Sequence, residues 1–267
     1  MIRPVPADRC DPPGTWLARQ GFRRTRKPAA AGMAVAVRPQ PRHLARRPAA
    51  INAQIVLFDG FDLLDATAAH EVLRAGGMAS GGALTVELVS PSQPGVVTAG
   101  SAGLVLQTTG ALDPGRANLI ILPGAAELHA APADHREVDT VPPALARALQ
   151  TELPILMKDA LDDPDVTVAA IGGGVLMLAM AGLIEGRPVV THHRGVNLLE
   201  EGDALADARV VDDGDLVTAG GITAGLDLGL HLLERELGPR IAHRVEQLLA
   251  YERRGTAWRP AGAAPVL

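Results

Sequence analysis

Apolar residues in this chain come in short, nearly uninterrupted blocks, separated by turn residues and by stretches of helical period, and this texture begins only at Ile51. Gln54-Ile55-Val56-Leu57-Phe58 ends at Asp59-Gly60 and predicts a buried strand followed by a turn. Asp65 to Arg74 reads as a helix, Leu84 to Val89 alternates as a strand should, and Leu104 to Gln107 is a further strand candidate. Asn118 to Leu122 is a buried strand stopped by Pro123-Gly124, and Leu145 to Glu152 reads as a helix started by Pro142-Pro143. Further on, strands are predicted at Pro188 to Thr191, near Ala208 to Val211 and at Leu216 to Thr218, with helices from Thr223 to Leu237 and from Pro239 to about Arg254. There is no internal repeat.

The run from Val166 to Ile184 is almost free of polar residues, and its length alone would suit a membrane span. Gly172-Gly173-Gly174 inside it argues otherwise. Three glycines weaken a spanning helix by about 1 kcal/mol each, whereas a sharp strand-to-helix turn wants them. The run therefore divides into a strand, Val166 to Ile171, and a helix, Val175 to Gly182. Strands alternating with helices over some 200 residues predict an α/β fold, a flavodoxin-like parallel sheet sandwiched by helices in a single domain.

Composition changes this picture at the ends. Of the 267 residues 47% are hydrophobic but only 2% aromatic, so the core must be built from Ala, Val, Leu and Ile, which suits parallel strands covered on both faces. Residues 1–50 carry eleven basic and two acidic residues and eight prolines, a charge of +9 against −14 for the remainder. That composition cannot bury enough apolar surface to offset ordering, so 1–50 is expected to be a disordered basic tail, with Met33 as an alternative start. Arg23, Arg24, Arg26 and Lys27 cluster there, but no aromatic or amphipathic pattern accompanies them, and neither a nucleic-acid partner nor a membrane partner is expected. Residues 51–254 form the expected domain and 255–267 a flexible C-terminal tail. No apolar leader follows the early arginines, and the single cysteine, Cys10, makes no intrachain disulfide, so a cytoplasmic location is expected.

Ligands of open α/β sheets sit beyond the carboxyl ends of the strands, and four such ends carry unusual residues: Asp59-Gly60 leading to Asp65, Pro123-Gly124-Ala125, Gly172-Gly173-Gly174, and His192-His193. A strand–elbow–helix turn projects one residue over the sheet and offers the helix's free N–H groups to an anion. Here that residue is Gly172, which leaves only backbone donors; equally, three glycines allow close helix–sheet packing. Asp65 at the head of its helix reads most simply as an N-cap. His192 and His193, adjacent on a strand, would point to opposite faces and make a poor metal pair. No third ligand stands at a useful spacing, and His70, His129, His135, His231 and His243 carry no pattern, so no metal is expected. Spaced glycines with a ribose-binding acid and a Walker lysine are both missing, so no cofactor is expected.

Taken in order, these pieces resemble a known family. Ile55 through Asp65 followed by Glu71-Val72-Leu73, Leu119 through Ala125, Leu176 through Arg187 with Thr191-His192, and above all Val217 through Asp227 with Leu232-Leu233 are similar to the ThiJ/PfpI superfamily. The resemblance covers about residues 53 to 254 and is nearest to its isonitrile-hydratase-like branch and to the amidotransferase-like sensor domains of AraC-type regulators. It implies that Asp65 is the acidic residue beside the nucleophile, required for turnover in isonitrile hydratases, and that His192 borders the same pocket. Gly124 and Ala125 match the oxyanion side, Ala125 replacing a glycine. Gly173 stands where threonine is common, and Gly172 where the family has its cysteine; Cys10 lies in the wrong region to substitute. A homodimer is also implied.

Two functions follow. One is a thiol-free enzyme of hydratase or lyase type acting on a small molecule, with Asp65 as general acid and base and the N–H groups of Gly172, Gly173 and Ala125 stabilising negative charge, each worth about 3 kcal/mol. The other is a retired, ligand-binding sensor; no helix-turn-helix segment follows Arg254, which favours the enzyme.

Overall fold

Three strands in the middle of the chain have no exposed face, which is what a sheet covered on both sides requires. They are β1 (Ile51–Val56), β6 (Leu119–Leu122) and β7 (Thr167–Ile171), and apart from Asn52 every one of their residues is buried. The computed structural model describes residues 50–100, 103–126, 141–199 and 208–261. The expectations for the basic stretch up to residue 49, for Cys10, and for His129 and His135 lie outside the described residues.

The remaining elements are helix α1 (Leu63–Ala79), strands β2 (Leu84–Ser90), β3 (Val96–Thr98), β4 (Val105–Gln107) and β5 (Gly110–Ala111), and helices α2 (Pro143–Ala148), α3 (Leu153–Asp162) and α4 (Gly173–Met180). After them come β8 (Val210–Asp212), β9 (Leu216–Ala219), α5 (Ala224–Leu237) and α6 (Pro239–Leu249). Seven strands form one sheet in the order β5-β2-β1-β6-β7-β9-β8. Every pairing in it is parallel except the edge pair β8–β9, and β3 with β4 makes a separate antiparallel hairpin. Helices flank the sheet, α1 packing against α5 and α6 while α3 and α4 lie against β7, the flavodoxin-like α/β arrangement expected.

Four local expectations are corrected. The helix placed at 145–152 is α2, and a separate helix α3 follows it, because Leu153 N–H donates to Thr151 Oγ1 at the new start and Pro154 cannot continue the earlier ladder. Pro188–Thr191 is not a strand beyond a single bridge at Val189: β9 already has β7 and β8 as neighbours, and Val190 N–H donates instead to Thr218 Oγ1 at 3.0 Å. The last helix stops at Leu249, where Ala250 turns left-handed at φ 47°. Residues 255–261 are not a loose tail, since Trp258 exchanges hydrogen bonds with Val210 and Asp212 of β8 at 2.8 Å and Arg259 reaches Asp212 at 3.1 Å. The hairpin strand β3 and the short β5 carry too little apolar pattern to be found from the sequence.

Candidate active site at the glycine elbow

The elbow is built by the ladder itself. Gly172 N–H donates to Ala219 O at 2.9 Å and carries the β7–β9 pairing one residue past β7. The chain then turns at φ 51°, ψ −117°, a conformation that an L side chain adopts only with strain, and enters α4. Thr191, buried, donates its hydroxyl to Gly172 O at 2.7 Å and holds that peptide in place. The three glycines divide the two readings of the motif between them. Gly172 is needed for its backbone conformation, while a Cβ on Gly174 would stand 2.4 Å from Leu122 O, so Gly174 is needed for close helix–strand packing.

Asp62, not Asp65, is the N-cap of α1: its Oδ1 accepts from Leu64 N–H and Asp65 N–H at 2.9 and 3.0 Å. One turn in, Asp65 is freed from capping and points inward, 2% exposed. Its Oδ2 accepts from Gly124 N–H at 3.0 Å, and its Oδ1 is buried without a partner among the described residues. Burial pushes the Asp65 carboxyl well above the usual range, the neighbouring Asp62 charge raises it further, and the Gly124 N–H opposes both. Gly124 is where the elements meet: a Cβ there would fall 2.7 Å from Gly173 N and 3.0 Å from Asp65 Oδ2.

The point at which a Cβ of residue 172 would stand lies 3.4 Å from Asp65 Oδ2, 3.5 Å from Gly220 O and 3.8 Å from His192 Cβ, all ordinary contacts. Asp65, Gly124, Gly172, Gly173 and the base of His192 thus converge, with Ala125 adjoining through its bridge to Phe61. Of the three N–H groups expected to face a ligand, that of Gly172 is corrected: the sheet uses it. Those of Gly173 and Ala125 have no acceptor among the described residues.

His192 differs from expectation too. It caps the 3-10 turn His193–Leu198, its Nδ1 accepting from Arg194 N–H at 3.2 Å, so a neutral ring carries its proton on Nε2. The His192 and His193 rings do not diverge but stack tilted, with centroids 4.1 Å apart. The Nε2 edge lies towards Gly221, 3.8 Å from where a Cβ on that glycine would be. Sequence reasoning missed Thr191 as the elbow's tie, Asp62 as the cap that releases Asp65, and the Gly220 carbonyl. An Asp two residues after Asp-Gly, preceding a helix, was the available signal for Asp62.

A cleft of about 880 Å³ lies away from the elbow, between α5, α6 and residues 252–259. Three of its four arginines are held by carboxylates, Arg253 by Glu234 and Glu246, and Arg235 and Arg259 by Asp212.

Three comparisons bear on this geometry. The DJ-1/PfpI family profile matches residues 52–235. Among curated proteins, an isonitrile hydratase of Pseudomonas putida is 40% identical over 85 residues, 32% of this chain and 37% of that protein. The HTH-type transcriptional regulator CdhR of Pseudomonas aeruginosa is 28% identical over 197 residues, 72% of this chain and 52% of the regulator. The chain thus spans about half or less of the curated relatives it matches. Among solved structures, Drosophila melanogaster DJ-1beta superposes with a TM-score of 0.61 at 17% identity, covering 76% of this chain and 99% of that one. An AraC family transcriptional regulator from Pseudomonas putida gives 0.56 at 19%, covering 74% and 99%.

Proposed function

The chain belongs to the DJ-1/PfpI family, and from that premise we propose that it is a thiol-free enzyme of hydratase type, adding water to a small neutral molecule at the Gly172 elbow, with isonitriles as the substrate class. The observation that carries this reading is the Asp65 carboxyl, buried, holding its proton more tightly than an ordinary aspartate, and set 3.4 Å from where the side chain of residue 172 would begin. A carboxyl of that kind gives a proton to the terminal isonitrile carbon and takes one from the attacking water. The C–O bond forms at that same carbon, the resulting imidic acid loses its hydroxyl proton and gains one on nitrogen, and the product is the N-substituted formamide. No atom of the enzyme becomes bonded to substrate, so no cysteine is needed. The N–H groups of Gly173 and Ala125, which have no acceptor among the described residues, serve as donors to the oxygen of the imidic acid as its hydroxyl proton leaves, each such donor being worth about 3 kcal/mol. His192, with Nδ1 occupied, serves as a donor through Nε2 rather than as a base.

The partial identity with an isonitrile hydratase supports the substrate class, and the family resemblance supports a homodimer; the single cysteine fits a cytoplasmic location. Among the described residues no helix is long and apolar enough to cross a membrane. A second reading, a sensor that binds its ligand without turnover, is favoured by the longer match to a transcriptional regulator. Conversion of an isonitrile to its formamide by the purified protein, beside Asp65→Asn, separates the two. Loss of about 10²- to 10⁴-fold in turnover on removing the acid is expected of the enzyme; a sensor shows no conversion and keeps its ligand in both forms.

A further inference from the structure

Asp62, Gly124 and Asp65 form a closed ring of hydrogen bonds in which each residue donates its N–H to the next. Asp62 N–H donates to Gly124 O at 2.7 Å, Gly124 N–H to Asp65 Oδ2 at 3.0 Å, and Asp65 N–H to Asp62 Oδ1 at 3.0 Å. The ring ties the head of α1 to the chain just past β6, and it fixes the Asp65 oxygen that stands 3.4 Å from the side-chain position of residue 172. Both acids are buried, 5% and 2% exposed. Capping alone does not ask for a second acid here. Ser, Asn and Asp cap about equally well, whereas two neighbouring carboxylates disfavour each other's ionised form.

We infer that Asp62 is a positioning residue of the site: it holds the Asp65 carboxyl at the elbow through this ring, and its negative charge makes Asp65 the member of the pair that keeps the proton. The two environments assign these roles. Asp62 stands at the head of a 17-residue helix, whose positive end favours a negative charge, and its Oδ1 accepts from two N–H groups. Asp65 has one backbone donor, and its Oδ1 has no partner among the described residues. Burial is the first cause of its upward displacement and the Asp62 charge the second. Titratable neighbours pushed apart in this way divide the acid and base roles between them. The other charged or titratable groups near the ring come from three further segments. His192, after α4, borders the Gly172 point with its ring directed to Gly221. Asp227 of α5, the helix packed on α1, is tied to Arg209 and Tyr251. Arg147 of α2 lies by the turn at Gly60, its Nη2 3.6 Å from where a Cβ on that glycine would stand. None of these three is bonded to Asp65 among the described residues, so Asp62 is the charge that acts on it.

The test follows the aspartate carboxyl carbons by NMR across pH, with signals assigned through the backbone, in the wild type and in Asp62→Asn. That variant keeps a capping oxygen and the backbone bonds of the ring and removes the charge. On raising pH, Asp62 is expected to ionise before Asp65 in the wild type, and the Asp65 midpoint is expected to move down in Asp62→Asn with helix content unchanged. Asp65 ionising first in the wild type, or an Asp65 midpoint unmoved in the variant, overturns the inference and leaves Asp62 a cap only. Should Asp62→Asn not fold, Asp62→Ser replaces it as a neutral cap, and the order of ionisation in the wild type needs no variant. The consequence for rate rests on the hydratase reading. Isonitrile turnover by Asp62→Asn should fall by about tenfold on the alkaline side, where Asp65 now loses its proton earlier, and by less on the acid side. A loss uniform across pH overturns the bearing of the charge on the rate. A wild type that converts no isonitrile sinks the hydratase reading, and the carboxyl titration still decides the role of Asp62.

Discussion

Asp65 and Asp212 are both buried carboxylates, 2% and 5% exposed, yet the protein treats them in opposite ways. Asp212 is saturated. Its Oδ2 receives His231 Nε2 at 2.8 Å and Arg259 at 3.1 Å, while its Oδ1 receives Gly214 N–H at 3.0 Å and lies 3.5 Å from Arg235. Burial alone would raise it, but these donors and positive charges hold it well below the usual carboxylate range. Asp65 has one backbone donor and a negative neighbour, and it moves upward. The first arrangement joins β8, α5 and the C-terminal segment together; the second leaves a carboxyl able to exchange a proton. Full satisfaction marks a structural acid, and partial satisfaction beside an open point marks a reactive one.

Breaking the saturated site is expected to have the largest effect on stability. Asp212→Asn removes the charge that His231, Arg235 and Arg259 converge on and should lower the unfolding free energy by about 3 kcal/mol in urea titration, since it leaves the half-buried Arg235 without its carboxylate. Gly172→Cys puts a side chain at positive φ and should cost about 1–3 kcal/mol. In a Cys10→Ser background it should yield one slowly alkylating thiol; rapid labelling in unfolded protein alone would show that the elbow rejects the side chain.

Asp65→Asn should do the reverse of Asp212→Asn and raise stability at neutral pH by about 1 kcal/mol, by removing a buried carboxyl that solvent would rather ionise. The pH dependence separates the pair by sign. Asp65 has a raised folded value, so its contribution is fully present below the unfolded value of about 3.9 and is lost as pH rises towards the folded one. Asp212 is lowered, so its contribution is present above about 3.9 and is lost as pH falls. Urea titrations across pH should therefore show the Asp65→Asn advantage growing with rising pH and the Asp212→Asn deficit shrinking with falling pH. The smallest effect is expected at Thr191→Val, about half a kcal/mol, because Gly172 O keeps Val175 N–H at 3.2 Å as a second donor. A larger loss in turnover than in stability there would mark Thr191 as a positioning residue of the elbow.

By itself the sequence determined the sheet, the place of its strand ends and the elbow. Unbroken apolar runs such as Leu119–Leu122 are compatible only with burial on both faces, and Gly172-Gly173-Gly174 marks the sharp turn from strand to helix. The family resemblance of these segments implied that Asp65, Gly124 and Gly172 share one pocket, and the structure brings them together. Tertiary structure alone decided which hydrogen bonds each of them makes. Asp62 and Asp65 are interchangeable as caps by pattern, and the chain's entry angle into α1 gives the cap to Asp62. His192 and Pro188–Thr191 read as strand, but β9 had no free edge for them. Gly172 N–H was lost to the ladder because β9 lies beside β7, and Gly220 O was gained because β9 ends level with the elbow. Periodicity records which face of an element is buried; it does not record which element comes to lie next to it, and the partners of every polar atom at the elbow follow from that neighbour.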